Sequence, residues 1–139
     1  VVLHRAILGS LERFLGVLVE HTAGAFPFWV APVQAAVLPV SDRFAAAARA
    51  AAERLARAGL RVETDDRNEK LGARIRRAEM QKVPAMLVIG EKEGAAGTVA
   101  VRLRHGADLG TMSVEEFIRT ARGAIESKQR ELSAEVKNR

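Results

Sequence analysis

Along the first residues, the apolar positions Leu8, Leu11, Phe14, Leu15 and Leu18 recur three and four apart, which predicts an amphipathic helix over residues 8 to 21. Ala23, Gly24 and Pro27 end it. From residue 34 the period changes. Gln34 to Val40 is an almost unbroken apolar run, the pattern of a strand buried on both faces. Ser41 or Asp42 then caps a helix whose inner stripe is Phe44, Ala48, Ala51, Leu55 and Ala58, with Gly59 placed as its stop. Leu60 to Thr64 alternates and is expected at a sheet edge. After Asp65-Asp66-Arg67-Asn68 a second helix turns Leu71, Ile75 and Ala78 inward and carries Lys70, Arg74 and Arg77 outward. Ala85 to Ile89 is another continuous apolar run, expected to be the central strand. Gly90, Gly94 and Gly97 read as turn residues of the next connection. Thr98 to Arg104 alternates with Val99, Val101 and Leu103 on one face, so Arg102 and Arg104 are expected to share the other. A short strand near Leu109 to Met112 leads to Ser113 and Glu116, whose capping-box spacing opens a last helix with Val114, Phe117, Ile118, Ala121 and Ile125 inward. Beyond Lys128 charge dominates, and the tail is expected to fray.

Strand, helix, strand, helix, strand, strand, strand, helix is the alternation of a layered α/β domain. The helix at 8 to 21 stands outside it and reads as the tail of a neighbouring domain, its apolar face either folding back or mediating self-association. With 139 residues and 48% hydrophobic content there is one main core, without room for two catalytic-size domains. The absence of cysteine excludes a disulfide framework and a thiolate zinc cluster, and suits a reducing cytoplasm. No apolar run is long enough to span a bilayer, and the start lacks a signal-peptide pattern, so no membrane partner is expected.

Charge changes this picture. The net charge of +5 comes with a pI near 10.4, and 17 of the 22 basic residues are arginine. Arginine forks match phosphates and base edges, so a polyanionic partner is favoured. Lys70, Arg74 and Arg77, together with Arg104, are candidate phosphate contacts, against the plain reading of a solvated helix face. The pair Arg102 and Arg104 has a sharper role, because strand-borne forks are held rigidly enough to address a base, against the plain reading of an edge strand protected by charge, and Glu93 nearby could accept from a base. The pair Asp65-Asp66 follows the second strand, the wrong place for a receiver's acidic pocket, and is better read as an acidic helix start. The glycines form neither a dinucleotide fingerprint nor a Walker loop, and the three histidines show no local metal-ligand spacing. A complete active site is not expected.

The stretches HRAILGSLERF at 4 to 14, FPFWVAPVQ at 26 to 34, DDRNEKLGARIR at 65 to 76, KVPAMLVIGEKE at 82 to 93, GTVAVR at 97 to 102 and DLGTMS at 108 to 113 resemble, in order, the class II aminoacyl-tRNA synthetases in their threonyl form. The resemblance implies that residues 1–24 are a remnant of the catalytic domain carrying its third signature motif, 25–33 a connection, and 34–139 an anticodon-binding domain. That domain is a three-layer α/β fold, a five-stranded mixed sheet with helices on both faces. Arg13 would grip ATP phosphates in the parent enzyme, with Gly9 and Ser10 beside the adenylate, and His4 would be one of three zinc ligands, the other two being absent. ATP and zinc are thus expected of the parent and neither is expected bound to this chain, which is predicted inactive by itself. Asn68, Lys82, Glu93 and Arg102 would converge on the anticodon, Arg102 and Asn68 on a guanine, Glu93 and Lys82 on the following uracil. The implied partners are the anticodon stem-loop of threonine tRNA, the rest of the catalytic domain, and a second copy of the parent. The anticodon domains of histidyl, prolyl or glycyl enzymes, a non-synthetase relative, and a receiver-like switch domain are the competing readings.

Overall fold

The structure is a computed structural model and describes residues 1–3, 5 and 9–132. Apolar run and amphipathic stripe alternate as expected from residue 34 onward. Strand β1 (Ala35–Pro39) is buried at every position. A 3-10 turn (Asp42–Phe44) leads into α2 (Ala45–Arg57), which buries Ala48, Ala51 and Leu55. The cap expected from Ser41 or Asp42 is not made, because the chain spends one tight turn there before the α-helix begins. Strand β2 (Val62–Thr64) follows, then α3 (Leu71–Met80), β3 (Ala85–Ile89), β4 (Thr98–Leu103), β5 (Asp108–Ser113) and, last, an α-helix at Val114–Glu126.

Between β3 and β4 lies a six-residue helix, Glu91–Ala96, where turn residues were expected. Glu93 folds its carboxylate back onto the Gly90 N–H at 3.1 Å, satisfying one orphan donor, and Gly97 at φ 66° ends the helix. The helices are therefore α4 (Glu91–Ala96) and α5 (Val114–Glu126), with α1 at Leu11–Thr22.

The sheet order is β2-β1-β3-β4-β5. Strands β2, β1 and β3 run parallel, and β4 and β5 complete the sheet antiparallel. The step from β1 to β2 goes one way and the step from β2 to β3 goes back across β1. Right-handed crossovers then place α2 and α3 on opposite faces. On the α2 face, Val37, Leu87, Val99 and Val101 pack against Ala48, Leu55, Phe117 and Ala121. On the α3 face a smaller cluster joins Ala36, Leu38 and Met86 to Ala78 and Val83. β3 is central and β2 lies at an edge, as the sequence pattern predicts.

Helix α5 begins where the capping spacing placed it, with Ser113 Oγ accepting from the Glu116 N–H at 3.1 Å. Ser113→Ala should lower stability by about 1 kcal/mol in denaturant titration, the usual loss for an N-cap hydroxyl. A change below about 0.3 kcal/mol, less than the weakest measured caps, would show that the cap carries nothing here.

Both ends of the domain are docked. In the segment expected as a connection, Phe28 is fully buried in the α2-side core and Ala31 is 2% exposed. Gln34, fully buried, donates from Nε2 to the Phe28 carbonyl at 3.0 Å and accepts from the Arg61 N–H at 3.0 Å. Arg61 donates to the carbonyls of Ala31 and Trp29. The tail is not frayed directly beyond Lys128: the Phe28 N–H donates to the Arg130 carbonyl, Glu131 meets His105 at 2.9 Å, and Leu132 is buried. Its charges hide one apolar side chain and one backbone pairing, enough to anchor a short segment.

Helix α1 behaves otherwise. Leu11, Phe14 and Leu15 are exposed and Leu18 is half-buried, so most of its apolar stripe is left uncovered by the described residues. Leu8, expected in the same stripe, lies outside them.

Candidate nucleic-acid interface

Helix α3 covers only part of its face of the sheet. It packs over Ala36, Leu38 and Met86, on β1 and β3. Further along the same face the register sets Arg102 beside Met86, and Thr111 beside Ala100. Arg102 and Thr111 are exposed and Ala100 is half-buried, so strands β4 and β5 present an open strip next to α3. Val101 and Leu103, one residue to either side of Arg102, are buried on the far face and lock its orientation. Among the described residues Arg102 makes no ion pair, and its fork faces solvent.

Asn68 is exposed in the loop past the end of β2, and the charged residues around it are already engaged. Asp65 accepts from the Arg67 N–H at 3.2 Å and from Arg77 Nη1 at 3.1 Å, Arg77 also grips Glu69, and Asp66 pairs with Arg49. Hydrogen bonding to Glu69, and secondarily to Asp65, raises the pKa of the Arg77 guanidinium above the ordinary arginine value, so it stays charged. Lys70 is exposed at the entrance to α3. Glu93 is half-buried on α4 with its carboxylate turned to Gly90. Lys82 sits before β3 with φ 58°, a left-handed conformation usually left to glycine, and its Nζ donates to the Ala23 carbonyl at the end of α1.

The four expected base contacts do not meet at one point. Asn68 and Glu93 stand at the C-terminal ends of parallel strands, whereas Lys82 and Arg102 stand near the N-terminal end of β3. The cause is topological: β4 runs back antiparallel, so the end of β4 lies beside the start of β3. From Met86 to Gly90 is four residues of strand, roughly 13 Å at about 3.3 Å each. That separation suits successive nucleotides laid along a surface, not one base held from four sides.

Three expected phosphate contacts are otherwise occupied. Arg74 is 3% exposed, its Nη1 donating to the Asp65 carbonyl at 3.0 Å. Arg77 is tied to Asp65 and Glu69. Arg104 falls past the end of β4, donates from Nη1 to the Phe26 carbonyl at 2.8 Å, and pairs with Glu131. Lys70 alone of that group stays exposed. With Leu71, Ile75 and Ala78 inward, the 100° step of a helix puts Arg74 on the same arc and Arg76 on the outside. The exposed Arg76, overlooked in the sequence pattern, was legible from that phase; Thr111 and Ala100 were not, since nothing local says that α3 stops short of them.

At the N-terminal end, Ser10 caps α1, accepting from the Arg13 N–H at 3.4 Å and donating to Glu12 at 2.8 Å. The backbone at Glu12 and this hydroxyl lower the Glu12 pKa. Gly9, Ser10 and Arg13 are all exposed and do not by themselves enclose a nucleotide. His4 lies outside the described residues, and among those described no group of three or more histidine, aspartate or glutamate side chains could hold a metal ion.

A five-stranded mixed sheet, covered by α2 and α5 on one face and in part by α3 on the other, leaves a strip of exposed side chains on β4 and β5. Residues 34–123 match the model of the anticodon binding domain, and the chain belongs to that family. It is 56% identical over 128 residues to the threonine–tRNA ligase of Symbiobacterium thermophilum, a match covering 92% of this chain and 20% of that protein. The chain thus spans about a fifth of the length of the curated relatives it matches. Among solved structures it resembles the RNA binding domain of threonyl-tRNA synthetase from Cryptosporidium parvum, with a TM-score of 0.81 and 31% identity, covering 96% of this chain and 32% of that one. Prolyl-tRNA synthetase from the same organism shares the fold at a TM-score of 0.62, with 23% identity over 70% of this chain and 22% of that one.

Proposed function

We propose that this chain is the anticodon-reading part of a threonine–tRNA ligase and that it binds the anticodon stem-loop of threonine tRNA. The observation that carries the reading is the 56% identity to a threonine–tRNA ligase, running through nearly the whole chain and not only the part that matches the domain family. The prolyl neighbour shares the architecture alone. In the proposed whole enzyme, ATP activates threonine on the catalytic domain in the cytoplasm, the enzyme pairs with a second copy, and this domain selects the tRNA.

Single-stranded loops are read by splaying their bases over a surface and satisfying their edges. The open strip beside α3 supplies that surface. Arg102, strand-borne and unpaired among the described residues, fits the O6 and N7 acceptors of guanine, the second letter shared by threonine anticodons. Asn68 in the β2–α3 loop and Glu93 on α4, at the other end of the sheet, would meet neighbouring nucleotides of the same loop, and Lys82 stands at the Arg102 end. Lys82 has a compact ammonium, not a fork, and so contributes charge more than directional bonding.

Binding of a threonine-anticodon stem-loop, with single-letter variants as controls, tests the reading. Affinity should fall linearly with log salt, and Lys70→Ala should reduce that slope by about 0.7, one phosphate contact on a single strand. Equal affinity for a prolyl and a threonyl anticodon would overturn the assignment.

A further inference from the structure

The reading of Asn68 as a base contact leaves open what holds its loop, and the answer lies beneath the surface. Arg74 is a charged residue that the described residues bury almost completely, at 3% exposure. Among the described residues it has no carboxylate partner. Its Nη1 donates to the Asp65 carbonyl at 3.0 Å, its Nη2 lies 3.5 Å from the Val40 carbonyl, and its buried Nε finds no acceptor among them. Burying a guanidinium with an unmatched donor is costly, and apolar side chains usually fill such positions better. Core packing therefore does not explain its presence, since Leu71, Ile75 and Ala78 already supply the apolar face of α3.

The two carbonyls explain it better. Val40 follows β1 directly and Asp65 follows β2, so each offers the first acceptor beyond its strand at the same end of the sheet. One planar fork reaching both fixes the exit of β2 relative to β1. Above that point Asp65 continues the ladder, its N–H donating to Val37 at 3.1 Å, while its carboxylate takes Arg67 and Arg77. The loop from residue 65 to 70 is thus held at its base by Arg74 and along its sides by Arg77 and Arg49, with the Asn68 side chain left exposed.

We propose that Arg74 is a positioning residue for anticodon reading: it braces the β2–α3 loop so that Asn68 meets its base in a preset orientation, and it touches no RNA itself. Pre-ordering of this kind strengthens binding by removing the cost of ordering the loop on contact.

The test combines stem-loop binding with amide hydrogen exchange in the 139-residue chain. Arg74→Met replaces the fork by an apolar chain of similar reach, and Arg74→Lys keeps one charged donor. Arg74→Met should lower affinity for a threonine-anticodon stem-loop about tenfold, the scale of a coupled neighbour, with Arg74→Lys between it and the native chain. Exchange of the amides at 66 to 70 should speed up in both variants without RNA. In an Asn68→Ala background the Arg74 substitutions should add little, because the positioned group is gone. If Arg74→Met unfolds the chain, Arg74→Lys carries the same comparisons. Unchanged exchange at 66 to 70, or losses that add fully to that of Asn68→Ala, would overturn the positioning role. An Asn68→Ala variant that binds as well as the native chain would instead refute the base-contact reading, and the proposal with it.

Discussion

Phe28→Ala should lower the unfolding free energy by about 3–5 kcal/mol, the range for truncating a buried phenylalanine. Domains of this size are stable by only about 5–15 kcal/mol, so much of the population would unfold at modest denaturant. The size follows from the site. Phe28 is fully buried and belongs to the cluster that also holds Leu55, Phe117 and Leu132. Its N–H and carbonyl are bonded to Arg130 and Gln34, so the backbone around it is pinned and cannot collapse into the space. Urea unfolding followed by circular dichroism measures the loss. Phe14→Ala on α1 is the control, because Phe14 is 41% exposed and surface substitutions usually stay within about 0.5 kcal/mol. Equal effects at the two positions would mean that residues 25–33 are a passive tether after all.

Arg102→Ala should cost roughly 1–3 kcal/mol of binding to a stem-loop with guanine at its second anticodon letter. Its thermal unfolding should barely move, since the side chain is exposed and unpaired among the described residues. The diagnostic part is the pattern across letters. A lost base contact weakens the guanine-bearing loop and leaves loops with another base there nearly unchanged. A lost phosphate contact weakens all of them and flattens the salt dependence. Arg102→Lys separates charge from the two-pronged fit, and should recover overall affinity more than discrimination. No loss with Arg102→Ala in a filter-binding series would remove the central contact from the proposed interface.

Much of the fold was legible because its signals are local. Uninterrupted apolar runs mark β1 and β3 as strands covered on both faces, and the stripe of Ala48, Ala51 and Leu55 marks α2. Helix α4 was missed because six residues with two flanking glycines carry too little periodicity to distinguish a turn from one and a half helical turns. The charged tail misled for a related reason: Leu132 is a single apolar residue whose burial depends on a groove made by distant parts of the chain.

The candidate site divides along the same line. Arg102 could be placed on a sheet face from the alternation around it, since a strand's period of two is set by the backbone alone. Arg74, Arg77 and Arg104 carry the same charge in the sequence as Arg76 and Lys70, yet they end up bracing a loop, neutralising acids and holding the Phe26 carbonyl. Residue type and spacing determined the order of elements, their inward faces and the supply of positive charge. Only the tertiary structure decided which cations remain free, how far apart the proposed contacts lie, and that residues 25–33 belong to the core. Those outcomes depend on partners from eight to nearly eighty residues away, such as Glu69 for Arg77, Ala31 for Arg61 and Phe26 for Arg104, and no local pattern encodes which acceptor a long side chain will find.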